Sequence, residues 1–126
     1  MVKPRGGRSV VIPTVGSVIL IPFPFSDLSQ SKLRPAIVLA TPGYDDGILC
    51  QITSKSYADS RAIQLNNQDF SNGSLKVISY ARPSKLFTAS STLIVRKIGD
   101  LKPETMGKIV AEIINLLRTD EKLDSD

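Results

Sequence analysis

The chain has 126 residues, of which 41% are hydrophobic and 22% charged, the balance of a single globular domain with one core. It contains no histidine and a single cysteine, Cys50. That excludes His-based acid–base catalysis, Ser-His-Asp triads, an intrachain disulfide and nearly every zinc site. The net charge of +4 is unevenly spread: residues 1–99 carry 12 Lys/Arg against 5 Asp/Glu, and residues 100–126 carry 4 against 7. A basic body with an acidic end fits a polyanion-binding surface, and fits a solvated face of mixed charge equally well. No P-loop, dinucleotide fingerprint or internal repeat is present.

The N-terminal stretch "MVKPRGGRSVVIPTVGSVILIPF" starts basic and turns apolar. Pro13, Gly16 and Pro22 interrupt the apolar part and no small-residue cleavage site follows, so no signal peptide is expected. The lone Cys50 suits a reducing compartment, and a cytoplasmic location is the expectation. As chemistry Cys50 reads as core filler.

Short Val- and Ile-rich runs separated by Ser/Asn/Asp/Gly clusters then predict strands near Ser17–Ile21, Ala36–Ala40, Ile48–Thr53, Ala62–Leu65, Leu75–Ala81 and Thr92–Ile98. The first two are apolar on both faces and should be central. The third alternates, with Ile48, Cys50 and Ile52 on one side and Leu49, Gln51 and Thr53 on the other, which places Thr53 on an exposed face beside a glutamine. One helix is expected in "LKPETMGKIVAEIINLLRT": Pro103 suits the first helical position and Glu104 the positive N-terminal end. Ile109, Val110, Ile113, Ile114, Leu116 and Leu117 form its broad apolar face. The chain should be one domain, 1–126, with an N-terminal extension at 1–14 and a frayed polar tail at 119–126. Six strands and a helix make it mainly β with a C-terminal α-helix, an α+β curled sheet or small barrel.

The stretch "FSDLSQSKLRPAIVLA" delivers Arg34 from a polar loop to the start of the second strand. A residue before proline is extended, so Arg34 should be held straight, suited to bidentate contact with a phosphate. Ser26, Ser29, Gln30, Ser31 and Lys32 add donors, and Thr53 lies beside Arg34 if the two strands are neighbours. The plainer reading has Arg34 capping the sheet edge through a carboxylate and Thr53 as an ordinary β-former.

"VGSVILIPFPFSDLSQSKLRPAIVLA", "ILCQITS" and "SYARPSKLFTASSTLIVRKIGDL" before an apolar helix together resemble the PemK/MazF family of toxin–antitoxin ribonucleases, from about Val15 to Leu117. The resemblance implies an SH3-like β-barrel of the MazF/CcdB toxin type, acting as a homodimer. It further implies cleavage of single-stranded RNA without a metal or other cofactor, and neutralisation by a cognate antitoxin. The family's catalytic arginine and threonine match Arg34 and Thr53. Where members often carry an acidic residue before the arginine, this chain has Ser29, Gln30 and Ser31, a departure that bears on substrate preference.

Further candidates for RNA contact are Arg82, in a second Arg-Pro pair, and Lys85, both suited to the phosphate backbone. Phe25 could stack on a base, and Lys55 and Tyr57 follow Thr53 closely enough to line the same groove. Two other functions compete. A non-catalytic nucleic-acid-binding barrel would share the basic face without cutting. A protein-targeting toxin of the same fold would use an apolar C-terminal end, whereas this chain ends "DEKLDSD".

Overall fold

The computed structural model describes residues 13–24, 31–43, 45–55 and 58–124, and the side chains of all of these except 24, 31 and 120–124. Seven strands run β1 (Ser17–Pro24), β2 (Ser31–Gly43), β3 (Asp46–Thr53), β4 (Ile63–Leu65), β5 (Phe70–Gly73), β6 (Ser79–Ser90) and β7 (Arg96–Leu101). Helix α1 (Pro103–Asp124) follows. The strands form one curled antiparallel sheet in the order β4-β6-β3-β2-β1-β7-β5. The strands expected to be central are central, because both of their faces are apolar and need cover.

The cover comes from two cores. Val18, Ile37, Cys50 and Ile52 face α1, whose Ile109 and Ile113 close over them. On the opposite side Ile19, Ile21, Ala36, Val38 and Leu49 pack with Phe87, Ala89 and Ile94. Alternation along β1, β2 and β3 sends successive residues to the two cores. Full burial of each large aliphatic here contributes about 1.5–3 kcal/mol.

The start of α1 is tied to the sheet by side chains. Pro103 opens the helix as expected, the Met106 N–H donates to the Lys102 carbonyl at 3.0 Å, and the buried Thr105 hydroxyl donates to Asp69 Oδ1 at 2.9 Å. Asp69 closes a 3₁₀ turn, Asn67–Asp69, its Oδ2 accepting from the Asn66 N–H at 2.9 Å.

Several expectations are corrected. The sheet has a seventh strand, β5, where "NNQDFSNG" reads as a turn. It pairs with β7 through Gly73, at φ +72°, where any Cβ would collide with the Ile98 carbonyl. β6 does not end at Ala81 but continues to Ser90 through "RPSK", and β7 starts at Arg96 because Ser91–Leu93 form a 3₁₀ turn capped by Ser90. The helix continues to Asp124, through most of the stretch read as a frayed tail. Its apolar face is also narrower than expected, since Val110, Ile114 and Leu117 are 41%, 42% and 71% exposed. No described helix is long and apolar enough to cross a membrane.

Candidate active site

Arg34 is the fourth residue of β2, paired in register with Ile21 of β1. The Arg-Pro pair thus lies inside the strand and not at its mouth, because the strand begins at Ser31. Pro35 lies opposite Leu20 of β1 in the same register. Between β2 and β3 the register sets Ala36 against Gln51 and Ile37 against Cys50. Continued by two residues, it places Arg34 and Thr53 in one cross-strand row and on one face, the side opposite α1. Thr53 then pairs with Tyr80 of β6, and Tyr80 with Gln64 of β4. Ile21, Arg34, Thr53, Tyr80 and Gln64 therefore form a row that runs from apolar at β1 to polar at β4.

Thr53 is buried, not exposed as its alternation with Gln51 suggests. The chain leaving β3 turns at once: the Lys55 N–H donates to Thr53 Oγ1 at 3.2 Å. Accepting that bond uses an oxygen lone pair, so the hydroxyl proton is the part of Thr53 suited to donation.

Three lysines are exposed on β2, just past β3 and on β6. Lys32 pairs in register with Phe23 and is exposed on β2, Lys55 is exposed just past Thr53, and Lys85 is exposed on β6. Lys85 belongs to a wide bulge. Ile52 pairs with Ala81 while Cys50 pairs with Leu86, so four residues of β6, Arg82 to Lys85, oppose Gln51 alone. Pro83, fully buried within that bulge, has no N–H for a ladder bond. Cys50 Sγ donates to the Arg82 carbonyl at 3.3 Å. Burial pushes the Cys50 thiol up to about 12, which removes it as a nucleophile at neutral pH.

Arg82 stands differently from the lysines. Its Nε donates to Asp59 Oδ2 at 3.0 Å, and the two side chains are only 17% and 12% exposed. Burial alone would raise the Asp59 carboxyl, but hydrogen bonds from Arg82 and the Arg61 N–H, with the charges of both arginines, outweigh it and hold Asp59 below the usual carboxylate range. Asp59 was missed in the sequence. The available signal was an acid flanked by Lys55 and Arg61 in a basic body.

Of the other candidates, Phe25, Ser29, Gln30 and Tyr57 lie outside the described residues, as does the side chain of Ser31. The register thus sets Arg34 and Thr53 in one row with Lys32 on the same face, Lys55 and Lys85 are exposed past β3 and on β6, and Arg82 is engaged with an internal carboxylate. Among the described residues no three His, Cys, Asp or Glu side chains cluster as metal ligands would.

Comparison with solved structures returns the same architecture. The MazE–MazF structure (Form-II) from Deinococcus radiodurans superposes with a TM-score of 0.70 at 14% identity, covering 86% of this chain and 98% of that one. A mycobacterial endoribonuclease solved with its cognate antitoxin gives 0.66 at 16% identity, covering 85% and 96%. The Mycobacterium tuberculosis toxin MazF-mt6 gives 0.61 at 17% identity, covering 79% and 93%. No curated protein matches the sequence significantly. The profile of the PemK-like, MazF-like toxins of type II toxin–antitoxin systems matches residues 14–117. That span includes every strand and most of the helix, and the chain belongs to this family.

Proposed function

We propose that the protein is a toxin endoribonuclease that cuts single-stranded RNA by metal-independent attack of the substrate's own 2′-hydroxyl. The observation that carries this reading is the β2–β3 register, which sets Ala36 against Gln51 and, continued by two residues, brings Arg34 beside Thr53 on the face opposite α1. RNA supplies the nucleophile, so a site without histidine needs only to align the 2′-oxygen, accept its proton and stabilise charge at phosphorus. As the 2′-oxygen bonds to phosphorus the bond to the 5′-oxygen breaks, leaving a 2′,3′-cyclic phosphate and a 5′-hydroxyl. Arg34, always protonated, neutralises the non-bridging oxygens. The Thr53 hydroxyl donates to the same phosphate. Lys32, Lys55 and Lys85 draw the strand in through salt-dependent phosphate contacts.

The reading includes a cytoplasmic homodimer and a cognate antitoxin whose acidic segment orders on the basic face. The first two strands do not require a dimer to hide them, since each monomer buries both of their faces. Support for self-association comes instead from the exposed stripe Val110, Ile114 and Leu117 on α1. Light scattering should give about twice the 13.7 kDa of one chain.

The test is a labelled single-stranded transcript incubated with the protein in EDTA. Fragments ending in a cyclic phosphate are expected, and RNA with a 2′-deoxy residue at the cut should stay whole. Binding without fragments would make the protein a non-catalytic RNA-binding barrel. Cleavage abolished by EDTA would overturn the metal-independent step.

A further inference from the structure

Asp59 lies six residues after Thr53, yet its carboxylate reaches β6. One oxygen accepts from Arg82 Nε at 3.0 Å and the other from the Arg61 N–H at 3.0 Å. Both charged side chains are largely out of water, and removing either one takes from the other its oppositely charged partner. The residue before Asp59, Ala58, has φ +54°, a left-handed conformation that a non-glycine residue keeps only where its surroundings hold it.

Both ends of this arrangement are anchored. On β6, the Arg82 carbonyl accepts from Cys50, three residues before Thr53. On the other side, the Arg61 guanidinium donates to Glu112 Oε2 at 2.7 Å and to Thr119 Oγ1 at 3.1 Å, both on α1. Lys55 is thus tied to the end of β3, and Asp59 and Arg61 to β6 and the helix.

We propose that Asp59 and Arg82 are positioning residues for Thr53: their ion pair anchors the chain at Asp59, six residues past Thr53, keeps the Lys55 N–H on Thr53 Oγ1, and so sets the direction in which the hydroxyl donates. This rests on the nuclease reading above and alters one part of it. Arg82 acts through Asp59 and Thr53, not by holding phosphate. The Thr53 oxygen offers two lone pairs and one proton. With one lone pair committed to a fixed N–H, the proton's accessible directions narrow, and a displacement of about 1 Å at such a group costs on the order of a hundredfold in rate.

The experiment compares Asp59→Ala, Arg82→Ala and the double variant with the full-length parent in two measurements. The first is cleavage of a single-stranded transcript, resolved into kcat and KM. The second is amide hydrogen exchange at Lys55, which reads the bond to Thr53 whether or not RNA is cut. Each single variant should lose kcat by roughly ten- to a hundredfold with little change in KM, and Lys55 should exchange faster. The double variant should be no slower than the worse single, since both remove one interaction.

Should Asp59→Ala fail to fold, Asp59→Asn takes its place: it keeps the shape, removes the charge of the ion pair and sets an amide NH2 against one of the two donors, Arg82 Nε or the Arg61 N–H. A parental kcat in the single variants, or Lys55 exchange at the parental rate, would overturn the proposal. So would a rise in KM at unchanged kcat for Arg82→Ala, the signature of a phosphate contact. If the parent cuts no RNA the nuclease reading falls, and the Lys55 exchange alone decides whether the pair positions Thr53.

Discussion

The two faces of the central sheet share the same strands and differ in what those strands meet. Beneath α1, Val18, Ile37, Cys50 and Ile52 are covered by Ile109 and Ile113, and the face is apolar across three strands. On the other side Ile19, Ala36, Val38 and Leu49 are apolar as well, but further along β2 and β3 the same face carries Arg34 and Thr53. Along β2, Ile37 serves the first face while Ala36 and Arg34 serve the second. A period of two in the side chains thus separates the residues packed under α1 from the candidate catalytic ones within single strands. The apolar part of the second face gives the row of Arg34 and Thr53 a packed base, the kind of support that holds groups in a fixed geometry.

Substitutions on either face should therefore have separable effects. The largest is expected at Arg34. Arg34→Lys keeps the stem and the charge, so thermal unfolding should match the parent. Lysine is a point charge that cannot make a planar bidentate contact, and cleavage should fall by about a thousandfold, the scale of a lost transition-state donor. Ile37→Ala, three residues along the same strand, should do the reverse. It leaves a cavity under α1 and should cost about 3 kcal/mol in denaturant unfolding, while the folded fraction cuts at the parental rate. Parental cleavage by Arg34→Lys would end the division of labour between the faces.

Thr53→Val comes next. The β-branched shape preserves the strand, but the hydroxyl is lost both as a donor and as the acceptor of the Lys55 N–H. A slowing of about a hundredfold is expected, with Thr53→Ser recovering most of it because the oxygen stays. Equal rates for valine and serine at this position would remove the hydroxyl from the chemistry.

How far this division was legible in the sequence depended on whether the signal was local. The period-two alternation in "SVILIPF" and "AIVLATP" and the helical spacing after Pro103 are local, and the central strands and α1 follow from them. Arg34 and Thr53 were singled out through an Arg-Pro pair and a strand-end threonine; that they share a row depends on a β2–β3 register that no single segment carries. β5 was missed because "FSNG" has little β-propensity of its own and forms a strand only because β7 offers its edge. β6 was cut short because "RPSK" reads as a breaker, whereas the sheet accommodates it as a bulge. Thr53 was placed on an exposed face because alternation describes only the strand and is silent about the chain that turns back after it.

The helix face has its own polar joint, smaller in effect. Thr105→Val removes the hydroxyl that donates to Asp69 Oδ1 and leaves that oxygen without its partner in a part-buried setting. The loss should be about 1 kcal/mol in denaturant unfolding, with cleavage by the folded protein unchanged. A matching loss of kcat would show that the two faces are coupled through α1.

The smallest effect is expected from acid, and it bears on the joint beside the active face. Asp59 faces Arg82 and Arg61, and its carboxyl is held below the usual range. In the unfolded chain it titrates near its ordinary value, about 3.9. A group whose pKa is lower in the folded state binds fewer protons there, so its contribution to stability is complete above the unfolded value. It fades as pH falls through the folded value. Between neutrality and about pH 5 the gap in thermal midpoint between the parent and Asp59→Asn should thus be constant, and below about pH 4 it should narrow. Cys50, raised to about 12, stays protonated throughout this window and cannot mimic the trend. A gap that widened with acid would mean that Asp59 is protonated more readily in the folded protein than in the unfolded chain. In that case the Arg82 pair could not be what holds the turn after Thr53.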